Sequence, residues 1–561
     1  MLFKRIVIEN FRNFNNVEVS LKNRNVFFGL NDVGKTNFLY AMRILLDYDV
    51  RRDDFKITDF HNSNDDNDIK ITLEIDISDI DNEDTQKIIA KARDCLSSDV
   101  RSSLFIQAKS NKDDGRYYVE MSWGCSIERL MPISMQGQKS ALDRIFDVNY
   151  IDAHTDLDKL FKRAVSMKTV LMRNQDDNTA LKSKLVELNE QIESLSSITN
   201  FERSLLTEIN KYDSNIRLRL SSKDIAIDPY KNIYPYLIRD DNNPYYVSGD
   251  GLRKITSYSL HRLIALKNSG TKITIFLIEE PENHLHKTTL LKLSQVLFKE
   301  NEFPYLFLTT HSSELLAEMD KINLVRIASA NTTYSHFYSV PENYKKVKKM
   351  LNSNLARALF YDRVLLVEGA SEIVLFDAIL TYKCNYRTKG LEILAVNGIA
   401  FKEYINVLIP LQIQTFIKTD NDIIDGRTAG LNRVKEYGAM VAGLNNDEIK
   451  KALFIAHTIN MPTPLSSSSA YLSNTDLVEL CKRENIYLSK VDLEGDLAEA
   501  LGDILINRLN KDDLEQAVKY LKARKLYNII ELVGNLREED LEIIFNNENF
   551  AVLGGFTNGV F

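Results

Sequence analysis

Hydrophobic positions along the chain follow two different periods, one typical of strands and one typical of helices. The opening stretch has apolar residues at alternate positions, including Ile6 and Ile8, which predicts a β-strand. Apolar runs bounded by polar residues predict further strands. These lie at 25–29, 70–76, 117–121, 274–280 and 305–311.

The segment from 155 to about 228 has a different pattern. It contains no glycine, is rich in charged residues and is predicted to be mainly helical. Apolar residues spaced by four, three, four and three positions form a short heptad seam within it. The seam consists of Leu181, Leu185, Leu188, Ile192 and Leu195. It fits a helix packed on its own domain, and it also fits an intermolecular coiled coil.

From 363 onward, strand and helix patterns alternate up to about residue 422. This alternation predicts a parallel sheet with right-handed crossovers. The remaining stretch, 475–561, is predicted to be mostly helical. The changes of pattern divide the chain into four parts: 1–154, 155–228, 229–345 and 346–561.

Composition limits the class of protein. The 561 residues include 71 basic and 79 acidic side chains, with a formal charge of −8, which argues against a basic DNA coat but not against a local nucleic-acid site. The four cysteines form no CxxC pair, which indicates a reducing, cytoplasmic environment. No apolar run approaches the roughly 20 residues of a membrane helix, so no membrane association is expected.

Residues 29–36 match the phosphate-binding pattern GxxxxGK[ST], between a predicted strand and a predicted helix. Backbone N–H groups and the helix N-terminus bind phosphate oxygens in this pattern. Lys35 is expected to neutralise the β- and γ-phosphates, and Thr36 is expected to hold Mg²⁺. The nucleotide-binding residues predicted here are Gly29, Asn31, Gly34, Lys35, Thr36 and Asn37.

A hydrophobic strand ending in Glu279 and Glu280 supplies two carboxylates. One is expected to reach the Mg²⁺ and the other to orient the attacking water. His311 ends the next strand, where a γ-phosphate can be sensed. Ser248 and Gly249 belong to an SGDG turn that opens a helix, which is a second phosphate-binding shape.

Acidic residues also follow the strands of the later alternating segment. Glu368 ends one strand, and Asp420 and Asp422 end another. The carboxyl ends of parallel strands meet at one edge of the sheet, so these side chains can converge with Glu372. Such a set fits Mg²⁺ or Mn²⁺, and two ions could clamp both oxygens of a phosphodiester. The alternative for the aspartate pair is a solvated loop.

The order of these motifs resembles two known modules. The phosphate-binding pattern at residues 29–36 is called the P-loop. The P-loop is followed by the SGDG turn, then by the paired glutamates and then by the histidine. This order resembles that of the ABC-type ATPase heads of the RecF, SMC and Rad50 class, and the resemblance implies paired heads. The segment 363–422 resembles a Toprim domain. The implied fold class is α/β: an ATPase head with a helical dimerisation insertion, followed by a Toprim domain whose parallel sheet has flanking helices.

A head of this type followed by a Toprim domain resembles the OLD (overcoming lysogenization defect) nucleases nearly end to end. The strings NFRNF, SGDGLRKITSYS, LIEEPE and RVLLVEGASE are closely similar to nuclease subunits of the Gabija antiphage system. The resemblance implies catalytic roles for Glu368, Asp420, Asp496 and Lys525. It implies metal-binding roles for Glu368, Glu372, Asp420, Asp422, Glu494 and Asp496.

The same resemblance implies an endonuclease that nicks or cuts phage double-stranded DNA, restrained by nucleotide at the head. It also implies a homo-oligomer of paired heads, such as a tetramer, and a helicase-like partner subunit. Glu279 stands where aspartate is usual, so slow ATP hydrolysis, or none, is expected. The alternative function is an ATP-driven repair or clamp protein with a non-cleaving Toprim domain. A topoisomerase-like activity is disfavoured because no nucleophilic tyrosine is recognisable.

Overall fold

The computed structural model describes residues 1–29, 33–92, 95–96, 102–133, 140–153, 190–222, 233–239, 245–246, 250–268, 271–299, 302–421, 423–424, 427–428 and 475–558. The chain divides into two compact units, Met1–Lys348 and Lys349–Phe561. The first contains the P-loop and the paired glutamates, and the second contains the later carboxylates. Within the described ranges, every helix is too short or too polar to cross a lipid bilayer.

The first unit contains an antiparallel sheet whose strands alternate between buried and exposed residues. In Lys70–Asp76, for example, Ile71, Leu73 and Ile75 are fully buried, as the period-two pattern predicts. The six strands, in spatial order, are Phe14–Ser20, Leu2–Phe11, Lys70–Asp76, Ser103–Asp113, Arg116–Gly124 and Met131–Pro132.

A second, mixed sheet positions the nucleotide motifs. Arg24–Phe28, Leu306–Thr309 and Ile273–Glu279 are parallel neighbours, so their carboxyl ends meet at one edge. All five residues of Arg24–Phe28 are buried, including the polar Arg24 and Asn25, as expected for a strand covered on both faces. The spatial order is Thr332–Tyr338, Ile322–Ser329, Arg24–Phe28, Leu306–Thr309, Ile273–Glu279 and Phe146–Ile151.

Helices of the first unit cover these sheets. Phe38 of the P-loop helix and Phe27 of the neighbouring strand lie in one hydrophobic core with residues of both sheets. The α-helices are Lys35–Leu46, Tyr48–Arg51, Glu83–Lys91, Ala141–Ile145, Ser196–Ile209, Asp250–Asn268, Lys287–Leu297 and Ser313–Leu316. Short 3-10 helices lie at Ile57–Asp59, His61–Ser63, Ile127–Arg129 and Glu342–Val347.

The segment predicted to be mainly helical also contains a strand, Ile216–Ser222. Ile216–Ser222 forms an antiparallel sheet with Ile233–Arg239 and Tyr245–Tyr246. The reason is visible in the sequence, because the apolar residues at 216, 218 and 220 are buried and alternate with exposed arginines. Of the predicted seam, Leu181, Leu185 and Leu188 lie outside the described residues. Ile192 is buried in a core formed with Ser196–Ile209 and Asp250–Asn268.

The second unit confirms the predicted parallel sheet. Its strands lie in the order Leu391–Ala395, Arg363–Val367, Gln414–Thr419 and Ile486–Leu488, all parallel. A two-stranded ribbon pairs Ile423–Ile424 with Arg427–Thr428. The α-helices are Lys348–Ala358, Ala370–Cys384, Phe401–Leu408, Thr475–Arg483, Leu493–Leu501, Asp503–Leu509, Leu514–Ala523, Lys525–Asn535, Glu538–Asn546 and Ala551–Thr557, with 3-10 turns at Tyr386–Lys389 and Glu548–Phe550.

Candidate functional site

The P-loop has the backbone conformations that its glycines allow. Gly29 and Gly34 have φ values of 151° and 109°, a region that residues with a Cβ rarely adopt. A Cβ on Gly34 would collide with the side chain of Asn13. Lys35 is buried, and its Nζ donates to the carbonyl oxygen of Gly29 at 3.2 Å. Asn31, predicted to bind nucleotide, lies outside the described residues.

Asn37, in the first turn of the P-loop helix, is held by residues of the first hairpin. Its Nδ2 donates to Asn13 Oδ1 at 2.8 Å, and its Oδ1 accepts from Arg12 Nη1 at 3.1 Å. Asn13 Nδ2 also donates to the Val33 carbonyl oxygen at 2.5 Å. The motif NFRNF therefore supports the P-loop directly, a role that the strand pattern alone does not indicate.

Thr36, which is predicted to hold Mg²⁺, is in contact with Glu279, the first acid of the glutamate pair. The Thr36 hydroxyl donates to Glu279 Oε1. The Tyr150 hydroxyl donates to the other oxygen, Oε2, at 2.6 Å. Burial and this hydrogen bond raise the pKa of Tyr150, so the phenol stays a donor. Tyr150 was not predicted, because its strand lies far from the glutamates in sequence.

Glu280 and His311 also face each other. His311 Nε2 lies 3.4 Å from Glu280 Oε1, and Asn283 Nδ2 donates to Oε2 at 2.8 Å. Burial, followed by the charge of Lys35, lowers the pKa of His311, whereas Glu280 raises it. A neutral histidine beside a carboxylate is suited to sensing an added phosphate charge.

Glu282 is a further acid of this edge that sequence analysis missed. Its Oε1 accepts from Thr310 Oγ1 at 2.9 Å and from His311 N at 2.6 Å. Burial raises the pKa of Glu282, and these two hydrogen bonds oppose the shift. Glu282 therefore fixes the backbone at His311.

The helix that follows the SGDG turn is tied to the same edge. Lys254 Nζ donates to the carbonyl oxygens of Glu280, at 2.9 Å, and Asn283, at 3.1 Å. Burial lowers the pKa of Lys254 to about 8. Ser248 and Gly249 themselves lie outside the described residues, so their predicted nucleotide role stays a prediction.

In the second unit, Glu368 and Asp420 lie together at the carboxyl edge of the parallel sheet. Glu368 Oε1 accepts from Thr419 Oγ1 at 2.6 Å and from the Asp420 backbone N–H at 3.0 Å. Ser489 Oγ donates to Asp420 Oδ1 at 3.4 Å. The two acids converge because their strands are parallel neighbours.

Glu372 and Glu494 are two further buried carboxylates of the second unit. Burial raises the pKa of Glu372, the charges of Glu368 and Glu494 raise it further, and Lys525 opposes them. Burial likewise raises the pKa of Glu494, again opposed by Lys525. Glu494 is 1% exposed, and neither carboxylate oxygen has a hydrogen-bond partner among the described residues.

Asp496 is turned toward a different partner. Its Oδ2 lies 2.7 Å from Lys418 Nζ, and its Oδ1 accepts from Lys490 N at 3.3 Å. Asp492, an acid of the same segment, caps the helix by accepting from Gly495 N at 2.8 Å, and its carboxylate lies 2.5 Å from Lys522 Nζ.

The donor chemistry fits a divalent cation. Buried carboxylates whose pKa is raised, such as Glu372 and Glu494, are stabilised in the charged form by a hard cation, and the Glu494 oxygens have no hydrogen-bond partner among the described residues. The same part of the chain holds no group of three His, Cys, Asp or Glu side chains already close enough to bind a metal. Asp422, a predicted ligand, lies outside it.

Comparison with known proteins gives the family. Residues 1–316 match the family described as AAA ATPase domain, and residues 359–422 match the overcoming lysogenization defect protein-like TOPRIM domain. The chain is 37% identical to endonuclease GajA of Bacillus cereus (strain VD045), over 99% of this chain and 98% of that protein. It is 21% identical to the Old nuclease of Escherichia phage P2, over 85% and 87% of the two chains.

A crystal structure of an SMC head bound to the C-winged helix domain of ScpA covers 60% of this chain and 98% of its own, at 13% identity. Its TM-score of 0.39 is too low to establish a shared fold. The near full-length identity to GajA, together with an ATPase domain followed by an OLD-like TOPRIM domain, does establish the relationship: the chain belongs to the OLD family, as a relative of the endonuclease GajA.

Proposed function

We propose that the chain is a nucleotide-regulated, metal-dependent DNA endonuclease of antiviral defence. The observation that carries the proposal is the set of acids at the edge of the parallel sheet, where Glu368 is hydrogen-bonded to the Asp420 backbone and Glu372 and Glu494 are buried nearby. The full-length similarity to an endonuclease supports it.

In this proposal, Glu368, Glu372, Asp420, Asp422 and Glu494 hold Mg²⁺ or Mn²⁺. When bound, the cation stabilises negative charge on the phosphodiester oxygens. Glu368, fixed by Thr419 and the Asp420 backbone, accepts the proton of the attacking water. Lys525, whose charge acts on both Glu372 and Glu494, neutralises the scissile phosphate.

We propose that Asp496 acts in one of two ways. Its carboxylate is paired with Lys418, so ligation of a second metal requires that pair to open. If it does not open, Asp496 positions Glu494, two residues earlier in the helix Leu493–Leu501. Both roles make Asp496 necessary for cleavage, and only the first requires direct metal contact.

The head of the first unit is proposed to bind ATP with Mg²⁺ through Gly29, Asn31, Gly34, Lys35, Thr36, Asn37, Glu279, Glu280 and His311. Contact of Thr36 and Tyr150 with Glu279 supports this role. Ser248 and Gly249 of a second head would complete the site, which requires paired heads and favours a dimer or tetramer. Cytoplasmic location and a helicase-like partner subunit, GajB in the Gabija system, belong to the same proposal.

The experiment is conversion of supercoiled plasmid to nicked or linear DNA by the purified full chain with Mg²⁺, with and without ATP. Cleavage that needs Mg²⁺ and is suppressed by ATP is the expected result. DNA-stimulated ATP turnover without cleavage would contradict it and favour the repair or clamp alternative.

A further inference from the structure

A basic and aromatic surface adjoins the carboxylate site of the second unit. The stretch 519–530 contains four cations and no acid. Its exposed residues also include three large apolar side chains. This corner surface consists of Lys519, Lys522, Arg524, Lys525, Leu526, Tyr527 and Ile530.

The corner surface is held in place by the helices that carry the acids. Arg524 alone joins the helices Leu514–Ala523 and Lys525–Asn535. The first packs on Leu493–Leu501, which carries Glu494, and the second packs on Ala370–Cys384, which carries Glu372. Lys522 Nζ lies 2.5 Å from Asp492 Oδ2 at the start of the Glu494 helix, so this surface begins directly at the acids.

The apolar side chains of the corner surface lie on one face of the helix Lys525–Asn535. Leu526 and Ile530 are four residues apart, and Tyr527 is three residues before Ile530, which places all three on neighbouring positions. Their exposures are 41%, 52% and 63% for Leu526, Ile530 and Tyr527. The opposite face is buried through Asn528, Ile529 and Leu532, so the helix does not need the exposed face for its own packing.

We propose that the corner surface binds the DNA strand flanking the scissile phosphate, with Lys519 and Arg524 at backbone phosphates and Tyr527 stacked on a base. Cations interleaved with an exposed aromatic ring are the surface chemistry that nucleic-acid strands require. Lys522 is paired with Asp492, whereas the exposed cations Lys519 and Arg524 face solvent, where they attract a polyanion. The inference rests on the proposed nuclease function.

The test is binding of a fluorescently labelled DNA duplex with a single-stranded overhang, whose bases are free to stack, by the full chain in EDTA, which prevents cleavage, at several KCl concentrations. Arg524→Gln is expected to weaken binding and to reduce the slope of log affinity against log salt by about 1, the value for one lost phosphate contact. Tyr527→Ala is expected to weaken binding about tenfold with an unchanged salt slope, because stacking carries no counterion release.

Arg129→Gln and Tyr118→Ala are the matched controls, since they change an exposed cation and an exposed aromatic residue of the first unit. Both controls are expected to bind as wild type does. If the wild type cleaves plasmid but the Arg524 and Tyr527 variants bind duplex normally, the proposed role of the corner surface is wrong and the nuclease function stands. The same conclusion follows if these variants keep DNA affinity and lose oligomeric mass, because the surface is then a protein interface. A wild type that neither binds nor cleaves contradicts both proposals.

Discussion

Lys418 and Asp496 form an ion pair in the interior of the second unit. Nζ of the lysine lies 2.7 Å from Oδ2 of the aspartate, and the two side chains are 3% and 1% exposed. Lys418 Nζ also donates to the carbonyl oxygen of Asn549 at 3.0 Å. The pair therefore joins the strand that leads to Asp420 with the helix that carries Glu494.

Breaking this pair from one side should destabilise the protein strongly. Lys418→Met leaves the Asp496 charge buried without its partner, which costs about 3–5 kcal/mol in comparable cases. The free energy of unfolding in urea measures the loss. Adding Asp496→Leu to the same protein should restore most of the stability, because the unpaired charge is removed. A Lys418→Met protein as stable as wild type would show that the pair is not formed in solution.

The acids of the carboxylate site should make stability depend on pH and on metal. The pKa of Glu494 is raised in the folded chain, so the native state binds more protons than the unfolded state above the ordinary pKa. Stability from this group is complete below that value and is lost as pH rises through the raised pKa. In EDTA, Glu494→Gln is therefore expected to raise the melting temperature, and more at about pH 8 than at about pH 5.

Mg²⁺ should oppose the loss of stability that the charged Glu494 carboxylate causes at high pH. The ion should stabilise the wild type at about pH 8, where the carboxylates are charged, and should stabilise the Glu494→Gln variant less. Glu515→Gln changes an exposed acid of the neighbouring helix and is the control. It should change neither the melting temperature in EDTA nor the stabilisation by Mg²⁺. A Glu494→Gln protein that melts lower in EDTA and responds fully to Mg²⁺ would contradict the assigned environment.

Gly34→Ala should abolish nucleotide binding by the head. Gly34 has a φ of 109°, and a Cβ there would collide with the Asn13 side chain, so the loop must move. Gly115→Ala is the matched control, because Gly115 also has a positive φ, 74°, but a Cβ there meets no atom within 4 Å. Both variants should lose about 1 kcal/mol from backbone strain. ATP binding by calorimetry should disappear only for Gly34→Ala, and retained binding would contradict the P-loop assignment.

Lys254 should give the head a stability that increases at alkaline pH. Its pKa is lowered to about 8, so the unfolded state binds more protons than the folded state above that pH. Stability from this group consequently rises as pH increases from about 8 to 10. The difference in unfolding free energy between wild type and Lys254→Met should shift by about 1–2 kcal/mol in favour of wild type over this range. Lys292→Met, an exposed helix lysine, should show no such shift.

The sequence was sufficient to predict structure wherever the local hydrophobic pattern and the direction of the strands determine which residues meet. The apolar run before Glu368 predicts a buried strand, and parallel strand order then brings Glu368 to Asp420. The local hydrophobic pattern does not reveal contacts between distant segments. The hydrogen bond from Tyr150 to Glu279 and the ion pair of Lys418 with Asp496 were therefore not predicted. The helical prediction was wrong at Ile216–Ser222, because buried apolar residues alternate with exposed arginines there and form a strand despite the high charge of the segment.

The most direct test of the central proposal compares plasmid cleavage by wild type and Glu368→Gln with Mg²⁺ present. Glutamine keeps an oxygen that can accept from Thr419 and the Asp420 backbone, so the fold should persist, as an unchanged melting temperature would verify. Glu342→Gln, at an 82% exposed side chain, is the control. We predict that cleavage is lost in Glu368→Gln alone, by about 100-fold or more if proton transfer and charge stabilisation are both removed. Equal cleavage by all three proteins would contradict the assignment of the nuclease site.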